Sequence, residues 1–306
     1  MKLLQNKKQA RALRELLYIL PFVAVVLIFS YYPLYGWVYA FFDYKPPQPL
    51  TMENFVGLKW FKSLVENQVK TQVILEVLKN TFAMSGLAIL TSWLPMIFAV
   101  FLNEIKCMPF RKIVQTVTTL PNFISWVLVY SVAYSLMNST GMINSLLEGL
   151  GFIKDPIMFL QTDQHVWITM WLWGTWKTLG WSAIMYIAAI SGIDEEMYEA
   201  ARVDGATRMQ IIRNITIPSL LPTYFVLLML SIANFLTNGM EQYYVFQNAF
   251  NSERIQVLDL YVYNTAMGSG SYSVATALSI LKSFVSVVLL CGANLISKLV
   301  RKETFI

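Results

Sequence analysis

Six stretches of this chain are long, apolar and nearly free of charge, and that feature restricts its possible folds more than any other. They run approximately over Leu16–Phe42, Thr81–Leu102, Ile113–Met137, His165–Ile190, Ile217–Thr237 and Val274–Ser297. A hydrocarbon layer ~30 Å thick is crossed by about 20 residues of helix at ~1.5 Å per residue, and every run meets that length. Hydrophobic residues make up 56% of the chain and charged residues 13%, where a soluble domain carries about 25% charged residues. Only helices and closed barrels satisfy their own backbone in lipid. The expected fold is an all-α membrane protein with six transmembrane helices.

The first run follows Lys2, Lys7, Lys8, Arg11 and Arg14, a basic start that a secretory signal also has. Its apolar part is far longer than a signal core of about 7–15 residues and shows no small-residue cleavage pattern, so it reads as an uncleaved span. Its length of about 40 Å exceeds the hydrocarbon layer, and Pro21 and Pro33 are expected to bend it or mark its ends. If alternate connections face the cytoplasm, 14 of the 23 Lys and Arg fall inside and seven outside. Both termini are then expected to be cytoplasmic. The net charge of +5 reports this topology rather than an affinity for nucleic acid. Between spans one and two, a turn-rich start at Lys45–Pro49 leads into mixed apolar and charged residues. These predict a short helix that either lies on the outer membrane face or docks onto a span of the same chain. The outer segments 138–164 and 239–273 are expected to cap a cavity.

The connection between spans four and five, Ser191–Thr216, carries a local pattern of its own. Asp194, Glu195 and Glu196 suit a helix N-terminus, and Ala200 and Ala201 favour helix. Gly205 accepts the left-handed conformation that ends one helix and turns into the next. A second helical stretch then reaches Pro218, where a new helix can begin. Helix chemistry alone leaves this segment open between a docking element and an ordinary solvated loop.

Glu199–Pro218 also resembles the Glu-Ala-Ala loop of type I ABC importer permeases, E-A-A-x(3)-G-x(9)-I-x-L-P, with Ile217 where the family usually has leucine. Further matching segments are Leu34-Tyr35-Gly36, Leu102-Asn103-Glu104, Leu120–Trp126, Gly192-Ile193-Asp194 and Glu241-Gln242. Together they resemble sugar-importer permeases, nearest the LplB/YteP-like oligosaccharide branch. The resemblance implies a cytoplasmic coupling helix seated in the cleft of an ATPase subunit, with Glu199, Ala200, Ala201, Asp204, Gly205 and Arg208 at the contact. It implies a bacterial cell membrane location and a heterodimer with a second permease. Two ATPases that hold the ATP and magnesium, an extracellular substrate-binding protein and a carbohydrate cargo complete the implied assembly. No cofactor is expected on this chain. The implied division is 1–76 for an N-terminal cytoplasmic helix, first span and outer loop, 77–300 for the permease core with coupling loop 191–217, and 301–306 for a cytoplasmic tail.

Absences narrow the reading. The chain contains no G-x-x-x-x-G-K-[ST] phosphate loop, so another polypeptide must supply ATP work. No Asp or Glu falls inside the six runs, which argues against an ion-coupled secondary transporter, the competitor from another class. No nucleophile–base set or metal cluster suggests an enzyme. Cys107 and Cys291 form no framework, and His165 is the sole histidine. Two cations lie within runs, Lys177 and Lys282. Lys177 admits two roles, capping backbone carbonyls at a subunit contact or touching substrate; Lys282 is near enough to an end to snorkel outward. Trp167, Trp171, Trp173, Trp176 and Trp181 either pack or stack on sugar rings. In similar permeases the pathway is lined from spans three and five, which selects Asn122, Trp126, Asn234 and Asn238 beside Lys177 as pathway candidates.

Overall fold

The computed structural model describes residues 2–301, which are helical apart from turns, loops and one isolated bridge between Phe42 and Phe55. Two compact units divide the chain, Met1–Glu66 with Asn264–Leu281, and Asn67–Tyr263 with Lys282–Ile306. The expected tail 301–306 lies, from residue 302 on, outside the described residues.

In the first unit α1 (Lys2–Val26) passes through Pro21, then widens into a π turn at Leu27–Tyr31 and tightens into a 3-10 run at Tyr32–Phe41. The irregularity therefore falls before Pro33, whose missing N–H would leave a carbonyl one turn earlier unpaired. Pro21 produces no break. Leu13–Phe41 gives 29 residues apolar enough to cross a bilayer, with none of its most apolar window buried. A helix that exposes apolar side chains all round needs lipid or a partner to cover it. The expected short helix is α2 (Lys59–Glu66). It docks onto its own chain: Trp60 Nε1 donates to the Phe42 carbonyl at 3.0 Å, the Phe41 and Phe61 rings lie 5.7 Å apart, and Leu64 is buried.

The second unit opens with α3 (Gln68–Leu90), capped by Asn67, whose Oδ1 accepts from the Lys70 N–H at 3.1 Å. After a turn at Thr91–Trp93 the chain continues as α4 (Leu94–Glu104). Gln68–Glu104 is thus one bilayer-length stretch of 37 residues, beginning well before the expected Thr81. Hydropathy marks where lipid contact starts; the N-cap marks where the helix starts.

The third expected span, Ile113–Met137, is not continuous. It divides into α5 (Met108–Thr119), a 3-10 turn at Leu120–Phe123, and α6 (Trp126–Met137), and the pair is bent by 108°. Pro121 donates no hydrogen bond and Ser125 caps the new helix by accepting from the Leu128 N–H, so the sequence ends one helix and starts another within six residues. A short α7 (Met142–Gly149) follows.

The long helix α8 (Val166–Ser191) is the spine of this unit. Its buried residues Val166, Met170, Trp173, Lys177, Gly180, Ala183, Tyr186 and Ile190 recur every three or four positions, one stripe down one face. The upper part of the stripe joins a cluster with Met84, Val129, Phe246 and Leu260; the lower part joins Met96, Ala99 and Leu220. Beyond α8 come α9 (Glu195–Val203), α10 (Arg208–Ile211), α11 (Ile217–Ala233), α12 (Glu241–Phe246), α13 (Ser252–Ile255), α14 (Leu258–Tyr263) and α15 (Tyr272–Arg301). Buried asparagines serve the irregular segments. Asn144 donates to the Asn138 and Ile157 carbonyls and accepts from the Ile157 N–H, while Asn80 donates to the carbonyls of Glu253 and Gln256.

Among the described residues four helices are long and apolar enough to cross a membrane, or five if the bent pair is one span. The remaining expected run, the fourth, is α8, whose 26 residues suffice in length; Lys177 and a tryptophan-, threonine- and glycine-rich sequence lower its hydropathy, as befits a helix packed inside protein.

Lys282 does not simply snorkel. Its ammonium pairs with Asp259 of α14, both side chains being about five-sixths buried, and the other Asp259 oxygen accepts from the Gly239 N–H at 2.8 Å. The carboxylate thus ties α15 to the end of span five. Asp259→Asn is expected to leave a buried ammonium under-compensated, at a cost of about 3 kcal/mol. The purified protein should lose heat resistance, and Asp259→Leu combined with Lys282→Met should recover most of it. An Asp259→Asn protein as heat-resistant as wild type would refute the pairing's importance.

Candidate functional site

The segment after α8 folds as its local chemistry dictates. Asp194 caps α9 by accepting from the Glu196 N–H at 3.1 Å. Gly205 adopts φ +76°, and the N–H groups of Gly205 and Ala206 return to the carbonyls of Arg202 and Ala201. Thr207 and Gln210 then form a reciprocal capping box that starts α10. The helix does not restart at Pro218. It runs from Arg208 to Ala233 through a π turn at Ile212–Thr216, which absorbs the hydrogen bond that Pro218 cannot make. Tyr198 and Thr216 share a hydroxyl–hydroxyl hydrogen bond at 3.2 Å, fastening α9 to that long helix.

Glu199, Ala200, Asp204, Gly205 and Arg208 are exposed and Ala201 half-buried; Val203 and Met209, apolar and 87% and 69% exposed, stand among them. Behind the turn, Glu104, Lys106, Glu195, Arg202 and Arg208 surround a polar recess of about 420 Å³. A small exposed face with apolar tips, rigidly attached to a span, has the chemistry of a contact for another protein.

A second feature lies between the helices of this unit, a cleft of about 700 Å³. Trp126, Asn234 and Asn238 line it; Asn122 and Lys177 are not among its lining residues. The wall also holds Thr91, Ser92, Trp171, Thr175, Thr178, Trp181, Ser182, Tyr224 and Gln242, and among the described residues no charged side chain. Trp171 Nε1 donates to Thr91 Oγ1 at 2.9 Å, and Ser92 shares a hydrogen bond with Tyr224 at 3.1 Å. Gln242 Nε2 donates to the Met170 carbonyl at 2.7 Å. Asn238 Nδ2 donates to Ser85 Oγ at 2.9 Å, while its Oδ1 has no donor among the described residues. Residues 171, 175, 178, 182 and 185 recur every three or four positions along α8, a signal present in the sequence and overlooked beside the tryptophans. Hydroxyls and amides among indole planes suit a hydroxyl-rich, ring-shaped solute.

Lys177 stands behind Trp126 and is not part of the cleft wall. Its Nζ donates to the carbonyls of Pro121, Asn122 and Ile124 at 3.0, 2.8 and 2.6 Å, and lies 5.4 Å from the centre of the Trp126 ring.

Bilayer-length helices, a solute-sized cleft and an exposed helix–turn–helix define a membrane-embedded transport subunit. The chain belongs to the family of binding-protein-dependent transport system inner membrane components, whose description matches residues 92–302. It is 34% identical to Protein LplB of Bacillus subtilis (strain 168) over 284 residues, 92% of this chain and 87% of that protein. It is 36% identical to the polygalacturonan/rhamnogalacturonan transport system permease protein YteP of the same organism, over the same shares of both chains. A chain in the crystal structure of a bacterial alginate ABC transporter, in complex with an alginate pentasaccharide-bound periplasmic protein, superposes with a TM-score of 0.83 at 31% identity, covering 99% of this chain and all of that one. The fold is that of an ABC importer permease.

Proposed function

We propose that this chain is the membrane-spanning permease of an ATP-driven importer that carries an oligosaccharide across a bacterial cell membrane. The observation that carries the cargo reading is the uncharged cleft walled by tryptophans, hydroxyls and amides. The saccharide cargoes named for YteP and for the alginate transporter support it. Six spans with both termini in the cytoplasm, a core over 77–300 and a tail over 301–306 are the topology proposed. A second permease completes the pathway, and two ATPases holding ATP and magnesium drive it. An extracellular binding protein delivers the sugar, a reading supported by the periplasmic protein in the alginate complex.

Glu199, Ala200, Ala201, Asp204, Gly205 and Arg208 form the face through which ATPase movement reaches this chain. ATP favours one of two arrangements of the pair of permeases, and the helix continuing from Arg208 into span five carries the displacement to the cleft. Trp126, Asn234 and Asn238 are the proposed sugar contacts.

The test is saccharide-stimulated ATP hydrolysis by the chain purified with its co-expressed partners. Asn234→Ala is expected to raise the saccharide concentration for half-maximal stimulation about tenfold, the equivalent of ~1.4 kcal/mol and so of one hydrogen bond, with unstimulated hydrolysis unchanged. Stimulation by no saccharide would refute the cargo. Uptake by the chain alone on an ion gradient would refute the class.

A further inference from the structure

The bend in span three turns three main-chain oxygens toward one atom, those of Asn122 and Ile124 and that of Pro121, which also accepts from the Ile124 N–H at 3.2 Å. Pro121, Asn122 and Ile124 each present a carbonyl within 3.0 Å of Lys177 Nζ. An ammonium has three protons, so this set uses all of them. Lys177 is 7% exposed and takes part in none of the ion pairs among the described residues. Its charge is held by the dipoles of an interrupted helix and by the face of Trp126. Oxygens freed by a broken helix are the donors that membrane proteins present to small cations. A charge so placed is costly unless it does work there.

We propose that the carbonyl cluster at 121–124 is a monovalent-cation site which this chain fills permanently with its own Lys177 ammonium. The tethered cation holds the third span bent and sets Trp126 in the wall of the cleft. A free ion would make the bend depend on ion concentration; a covalently attached one cannot leave, and the geometry persists on either side of the membrane. Lys177 is therefore a positioning residue, acting on the pathway through Trp126. The site itself does not depend on the identity of the cargo, and import is compared with the wild type for whatever solute that protein carries.

The experiment uses the complete co-expressed complex. Lys177→Met fills the side-chain volume without charge, and import is expected to fall at least about tenfold. Lys177→Ala leaves room for a small amine: methylammonium, which has N–H donors, should restore import and heat resistance several-fold, whereas tetramethylammonium, which has none, should not. Wild-type import by Lys177→Met, or a Lys177→Ala complex that responds alike to both ions or to neither, overturns the proposal. Should these variants fail to assemble, assembly yields of Lys177→Arg and Lys177→Gln decide. The cationic replacement is expected to give the higher yield, and an equal or lower one overturns the proposal. A wild-type complex that imports no saccharide would count against the cargo and leave these comparisons intact.

Discussion

Gly205→Asp is expected to abolish coupled import while the chain still enters the membrane. The glycine sits at φ +76°, where a non-glycine residue costs about 1–2 kcal/mol and aspartate is among the better tolerated. A Cβ there meets nothing among the described residues within 4 Å. The turn keeps its other supports, including the bonds to the Arg202 and Ala201 carbonyls and the Thr207–Gln210 capping box. Folding should therefore survive. What changes is the exposed face: a carboxylate appears beside Asp204 where the ATPase is proposed to seat. Import and saccharide-stimulated ATP hydrolysis should each fall at least tenfold, about 1.4 kcal/mol of coupling, with membrane-inserted protein near the wild-type amount. Gly205→Ala, which adds strain without charge, should fall between the two. Normal stimulated hydrolysis and uptake by Gly205→Asp would remove this turn from the coupling path.

That turn was legible in the sequence because its determinants are local. Asp194, Gly205 and Thr207 each act on backbone within a few residues, so spacing alone predicts helix, turn and helix. Apolar run length likewise locates the helices in lipid. Features requiring distant partners were not legible. Pro121 is visible, yet a sharp bend inside an apolar run also needs something to satisfy the released carbonyls, and Lys177 lies more than fifty positions away in sequence. Lys282 looked like a snorkelling cation because Asp259 lies in a separate short helix that hydropathy does not mark. The cleft shows the same division. Trp126, Asn234 and Asn238, selected through resemblance, line it, while the Thr175–Thr178–Ser182 face was hidden by the more conspicuous tryptophans around it. Asn122 does not line the cleft; it offers Lys177 its main-chain oxygen, to which no side-chain pattern can point.

Gly180→Ala should be among the most damaging single changes in the chain, although helix propensity alone argues the reverse. Alanine in place of glycine stabilises a helix interior by about 1 kcal/mol. Here the added Cβ would stand 2.2 Å from the Thr118 carbonyl oxygen, 2.4 Å from its carbon and 2.7 Å from the Thr119 nitrogen. All three are backbone atoms, so no rotamer change relieves the clash, and α5 must withdraw by an ångström or more from α8. Small residues are what allow two helices to approach this closely in a membrane. Overpacking a rigid contact costs about 1–3 kcal/mol even where side chains share the adjustment, and here the strain falls on main chain. The withdrawal also pulls at residues 121–124, whose carbonyls are held by Lys177, one helical turn before Gly180. The purified complex should therefore lose heat resistance and import together. Gly86→Ala is the control, since its Cβ meets nothing within 4 Å, and it should leave both properties unchanged or slightly improved. Equal behaviour of the two variants would mean that α5 and α8 do not meet at Gly180 in the working transporter, and that the bend is held by some other contact.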